Sequence, residues 1–179
     1  IFLGSVLVGI SSGLAVIILK TFAHWVFNTA TYITNYDTFF KYGIIKVTLP
    51  TIGIPLTESV INKFLGGSIE KGTSQILYAV AKKASIIPKK QMYAQIVTSS
   101  LTVGLGGSAG LESPIVITGA ALGSNFAQRF KLSYKDSSLL IGRGVAAGIA
   151  AAFNAPIAGV LLGAGHQYLL LEPQREISR

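Results

Sequence analysis

With 179 residues, 50% hydrophobic, 12% charged and a mean hydropathy of +0.58, the chain carries roughly half the charge of a soluble domain. That composition specifies an integral membrane protein. The net charge of +8 then belongs to membrane topology, lysines gathered in cytoplasmic loops, and not to nucleic-acid binding; zero cysteines exclude disulfides, thiolate metal sites and cysteine catalysis.

Residues 1–19 are uncharged and close to the roughly 20 residues that span a bilayer. Gly4, Gly9 and Gly13 recur near one face, where a second helix can approach closely. Trp25, Phe27, Tyr32 and Tyr36 read as an interfacial aromatic belt, and Asn35-Tyr36-Asp37 as a turn. Starting at Ile1 without Met, the chain reads as a partial segment. It shows no basic n-region with a small-residue cleavage site, so no signal peptide is expected. A second apolar segment over 42–65 contains Pro50 and Pro55, which predict a kink or break.

Gly-rich pairs then bracket a short polar link over 66–74, and the piece over 75–84 is too short to span. Lys82, Lys83, Lys89 and Lys90 make the most basic loop, expected on the cytoplasmic side. The next helix, over 91–103, carries Gln95, Thr98, Ser99, Ser100 and Thr102, small polar residues of the kind that pack helices together in lipid. A helix over 114–128 presents Gly119 and Gly123, and after a polar loop Asp136 opens a helix over 137–152 with Gly144, Gly148 and Ala152 at matching spacing. In Phe153-Asn154-Ala155-Pro156 the expectation is a polar cap followed by a new helix over 156–171. Neighbouring interrupted helices are the signature of a transporter with sites near the bilayer midplane.

Between two of these helices lies Gly104-Leu-Gly-Gly-Ser-Ala-Gly-Leu-Glu-Ser-Pro114, and Glu112 is the only Asp, Glu, Lys or Arg from Gln91 to Gln128. An ionisable group so deep in apolar sequence is a functional-site candidate by default. Pro114 suits a first helical turn and Ser113 the cap before it. Free N–H groups at such a terminus attract anions. A carboxylate placed there can occupy the anion's position or swing away, which makes it a gate. The alternative, a buried acid paired with a base, lacks any base in the local sequence. The glycines do not make a P-loop, since no Lys-Ser or Lys-Thr follows, and the dinucleotide fingerprint fails at Ala109. His24 and His166 form no zinc-like cluster with carboxylates, so neither metal nor cofactor is expected.

Gly110-Leu-Glu-Ser-Pro114 resembles the Gly-Lys/Arg-Glu-Gly-Pro motif of the CLC chloride channels and proton/chloride antiporters. The segment Ala146-Ala-Gly-Ile-Ala-Ala-Ala-Phe-Asn-Ala-Pro-Ile-Ala-Gly-Val-Leu161 is closer still to that family's Ala-Ala-Phe-Asn-Ala-Pro-hydrophobic-Ala-Gly stretch. The resemblance implies an all-α integral membrane fold of inverted repeats with broken helices. Residues 1–179 would be the N-terminal half, the first repeat alone. Glu112 matches the gating glutamate, and Gly110, Leu111, Ser113 and Pro114 the anion filter around it. The other first-half filter motif, Gly-Ser-Gly-Ile-Pro, falls near Gly72-Thr-Ser-Gln-Ile76, where Thr73 or Ser74 would supply a hydroxyl to the central anion site.

The sequence departs from the family after Leu161. The antiporters carry Phe, two apolar residues and then Glu, often followed by a second Glu that accepts the internal proton. Here those positions read Leu162-Gly-Ala-Gly165-His166, leaving His166 as the candidate internal proton site. No methionine-type replacement associated with the fluoride-selective branch is present, so chloride is the expected ligand.

The expected protein is therefore a chloride transporter and not an enzyme. It exchanges protons for chloride in its complete form, as a homodimer that crosses a bacterial inner membrane several times. Two other readings stand beside it: a passive channel of the same fold, favoured by the missing internal glutamate, and a non-transporting half-repeat that only packs against partner chains. A gene ending near Arg179 would favour the latter.

Overall fold

The computed structural model describes residues 2–34, 41–65, 76, 85–107 and 110–165, and every regular element among them is a helix. They are α1 (Phe2–Thr34), α2 (Lys41–Leu65), α3 (Lys90–Gly104), α4 (Glu112–Arg129), α5 (Tyr134–Phe153) and a shorter α6 (Pro156–Gly165). Two are long and apolar enough to cross a bilayer, Phe2–Tyr32 within α1 and Tyr134–Phe153.

The centre is the antiparallel pair α4–α5. Between helices in lipid there is no hydrophobic driving force, so contact rests on close backbone approach and dispersion. Gly119 lies against the Gly144 carbonyl and Gly144 against that of Gly119, while Gly123 meets Leu140 and Ile141. The packing face expected at four-residue spacing is thus the face used. A Cβ at either Gly119 or Gly144 would collide with backbone, which cannot yield as a side-chain end can.

α1 lies along this pair. It buries Val8, Ser12, Val16, Leu19 and Ala23 on one face and exposes Leu3, Leu7, Ile10, Leu14 and Ile17 on the other. Gly9 faces Ala147 and Gly13 faces Ala151, so α1 runs parallel to α5. The buried Ser12 hydroxyl donates to the Gly144 carbonyl at 2.7 Å, one of the interhelix bonds that small polar residues provide in lipid. α3 joins through Ser100, whose hydroxyl donates to the Leu19 carbonyl at 3.1 Å. Trp25, Phe27 and Tyr32 are exposed, consistent with an interfacial belt; Tyr36 lies outside the described residues.

Several boundaries differ from expectation. α2 continues through Pro50 and Pro55 without a break. α5 begins at Tyr134, not after Asp136: Ser133 is its cap, accepting from the Asp136 amide at 3.3 Å and donating to the Asp136 carboxylate at 2.8 Å. Asp136 therefore closes a capping arrangement from inside the first turn and does not open the helix. Asn154 is not a cap for the following helix either. It ends α5 in the left-handed conformation, φ 51°, and the Ala155 amide then reaches the Ala150 carbonyl at 3.1 Å. α6 doubles back along α5, with Gly159 against Ala146 and Ala150 and Gly163 against Ala146.

At the far end, Ser85 takes φ 64° and the segment over 85–88 is pinned to α4 and α5. Ser124 donates to the Ser85 carbonyl at 2.6 Å and accepts from the Ile87 amide at 2.9 Å, while the Ser85 and Ser138 hydroxyls meet at 3.0 Å. The buried hydroxyls of Ser85, Ser124 and Ser138 and the Ile87 amide all gain partners here, as burial demands, whereas the neighbouring Asn125 Oδ1 is buried without one among the described residues.

Candidate functional site

The glycine-rich break begins where α3 ends. Gly106 adopts φ 89°, its amide bonds the Val103 carbonyl at 3.0 Å and the Gly107 amide bonds that of Thr102 at 2.9 Å. This paired closure terminates α3 and requires the left-handed turn that glycine supplies. Thr57 of α2 braces it, donating to the Gly53 carbonyl at 2.8 Å and meeting the Thr102 hydroxyl at 3.3 Å. Residues 108–109 lie outside the described residues, and the chain resumes at Gly110.

α4 starts at Glu112, two residues earlier than the sequence suggests. Ser113 does not cap it: Leu111 precedes the helix in αR conformation without a side-chain cap, and Ser113 sits inside the first turn. The first main-chain bond of this end runs from the Ile115 amide to the Leu111 carbonyl at 3.1 Å. The Glu112 and Ser113 amides therefore precede the helical ladder, and Pro114 has no amide to leave unpaired. The carboxylate stands at the positive end of the helix dipole, while Arg129 occupies the last turn. Glu112 and Gly110 are exposed, Leu111 and Ser113 half-buried, Pro114 buried.

Register then says what else lies at this end. Contacts between Gly119 and Gly144, and between Ile115 and Gly148, carry the antiparallel pairing toward Glu112 on α4 and the last turn of α5. Leu19, Leu111, Ile115, Ala151 and Ala152 pack in one apolar cluster there. Because α6 departs from the end of α5, its N-terminus also begins at this end. The start of α6 thus shares this end of α5 with the exposed carboxylate, but on the other side of α5, because α4 packs on Leu140, Gly144 and Gly148 and α6 on Gly142, Ala146 and Ala150. The N-terminus beside Glu112 is that of α4, which favours a small anion.

Thr73, Ser74 and His166, the other candidates, lie outside the described residues. His24 is described and pairs through Nδ1 with the Asn28 amide at 2.9 Å. Sequence reasoning passed over Lys20, whose ammonium donates to the Ala152 carbonyl in this same region. The available signal was its isolation, a single charge in a long uncharged helix.

A family model described as voltage gated chloride channel matches residues 53–166. The chain belongs to this family. Among relatives of this chloride channel family, it is 29% identical over 178 residues to chloride channel protein CLC-d of Arabidopsis thaliana, covering 88% of this chain and 22% of that protein. It is 30% identical over 120 residues to a ClcB-like chloride channel protein of Ralstonia nicotianae, covering 65% of this chain and 28% of the relative. Its fold matches the crystal structure of a slow cyanobacterial Cl-/H+ antiporter with a TM-score of 0.68 and 21% identity, over 94% of this chain and 45% of that one. The all-helical membrane fold expected of CLC proteins is therefore the fold observed. The chain spans less than a third of the length of these curated relatives and under half of the solved structure.

Proposed function

We propose that the protein carrying this chain transports chloride or a similar small anion across a membrane, with Glu112 as its gate. The observation that carries this reading is the exposed carboxylate in the first turn of α4, at the end of α5 where α6 also begins. Residues 1–179 serve as the first of two inverted repeats. The filter is Gly110, Leu111, Ser113 and Pro114, with Thr73 or Ser74 completing the central site. The ionised Glu112 competes with the anion for the helix terminus, and its protonation or displacement admits the anion. Transport needs no metal or organic cofactor and makes no covalent bond, so the protein is not an enzyme. The complete protein is a multi-pass homodimer of a bacterial inner membrane, exchanging protons for chloride with His166 as the internal proton site.

The test is chloride efflux recorded together with pH, using the longest natural protein that contains this segment, reconstituted in liposomes. Wild type should move chloride faster as pH falls and drive protons uphill. Glu112→Gln should abolish proton movement and the pH dependence, and Glu112→Ala should leave an open path. Unchanged pH dependence in both variants would remove Glu112 from the gate.

A second reading is a passive anion channel without proton coupling. It is favoured by the missing internal glutamate: where the antiporters' second Glu accepts the internal proton, this chain has His166. Chloride efflux with no accompanying proton movement in the wild type would select it.

A further inference from the structure

Lys20 is the only Asp, Glu, Lys or Arg from Ile1 to Tyr36. An ammonium in so apolar a helix is costly unless it is partnered or serves a site. Its Nζ donates to the carbonyl of Ala152, in the last turn of α5. Carbonyls there have no intrahelical donor and form the negative end of the helix dipole, so the docking both satisfies an orphan acceptor and holds the cation in place.

Where it is held matters more than how. Leu19, one residue before Lys20, and Leu111, one residue before Glu112, share the apolar cluster that contains Ala151 and Ala152. The antiparallel register of α4 on α5 carries the Glu112 terminus to the same last turn. Lys20 and Glu112 are both exposed, so neither is consumed in the core. The other cation between α1 and α5, Arg143, donates to Ser5 at the opposite end of their contact, and Arg129 closes the far end of α4. Among the described residues of α1, α3, α4 and α5, Lys20 is therefore the cation at the Glu112 end. The resembling motif has Lys or Arg where this chain has Leu111, whose side chain packs in the apolar cluster.

We propose that Lys20, docked on the end of α5, is a positioning residue that supplies the fixed positive charge of the anion site at the N-terminus of α4. This deepens the reading of Glu112 as an anion gate and rests on it. The cation raises the affinity of that end for a small inorganic anion without touching the permeating ion. The site draws its charge from α1 and not from its own loop.

The experiment compares wild type, Lys20→Arg and Lys20→Gln in the longest natural protein containing this segment, reconstituted in liposomes. Initial chloride efflux is measured against chloride concentration, and each variant is melted in detergent. Lys20→Gln should raise the half-saturating chloride concentration roughly three- to ten-fold, the effect of one charge acting through an effective dielectric of about 20. Maximal flux should change less than about two-fold, and Lys20→Arg should restore the wild-type half-saturation, since a charge shifts anion binding at a site it does not touch. Unchanged half-saturation in Lys20→Gln, with or without a lower melting temperature, would overturn the inference and leave Lys20 as a cap of α5. Equal shifts in Lys20→Gln and Lys20→Arg would also overturn it, because charge would not be the cause. A wild type that moves no chloride would instead defeat the underlying reading, and this inference with it.

Discussion

At the scale of single residues, charge and backbone conformation decide most of what matters. Glu112 stood out in the sequence because a lone acid in an apolar stretch is costly without a function. Its place inside the first turn, not in the loop before Pro114, was hidden because a proline is compatible with several first-turn positions. Lys20 was harder to see. Its meaning comes from the Ala152 carbonyl, a partner contributed by another helix. Asn154 illustrates the same limit: a polar residue before Ala-Pro suits either the end of one helix or the start of the next. The structure assigns it to the end of α5, at φ 51°. A residue with a plain Cβ is strained there, so Asn154→Ala should cost about 1 kcal/mol and Asn154→Gly little or nothing. Denaturant titration of each variant in detergent measures both values. A neutral Asn154→Ala would mean that the left-handed turn contributes no strain.

At the scale of helices, spacing was informative and boundaries were not. Glycines four residues apart on two successive segments predict two faces that can come within backbone contact, and α4 and α5 meet on those faces. Pro50 and Pro55 predict a break in α2 that is absent, since a helix is continuous wherever its remaining bonds and neighbours outweigh a missing donor. The α4–α5 contact is also the most sensitive to added volume. Gly144→Val would drive a branched side chain into the Gly119 carbonyl and the Val8 side chain. Overpacking of this kind costs about 1–3 kcal/mol, and more where backbone must move. The expected result is a fall in detergent melting temperature and in folded yield, whereas Gly165→Ala, at a position with open space, should behave as wild type. Equal stability of Gly144→Val and wild type would contradict the described α4–α5 contact.

At the scale of the whole molecule, the apolar surface shows the environment. α1 exposes Phe2, Leu3, Leu7, Ile10, Leu14 and Ile17 along most of its length, and α6 exposes Ile157, Val160 and Leu161. Such a surface is stable in hydrocarbon and not in water. The chain should stay with the membrane pellet on alkaline carbonate extraction and require detergent for release; recovery in the carbonate supernatant would place it at the surface. Composition alone was enough for the membrane, because the free energy of placing apolar side chains in lipid depends on residue type and not on fold. Local motif and glycine spacing were enough for the helices and the family, since those signals lie within a few turns of one another along the chain. What only the tertiary structure decided is which groups share the Glu112 end of the α4–α5 pair: the last turn of α5 and, docked on its Ala152 carbonyl, the ammonium of Lys20. These groups are far apart in sequence, and helix register brings them to one end through backbone contacts that no single segment encodes.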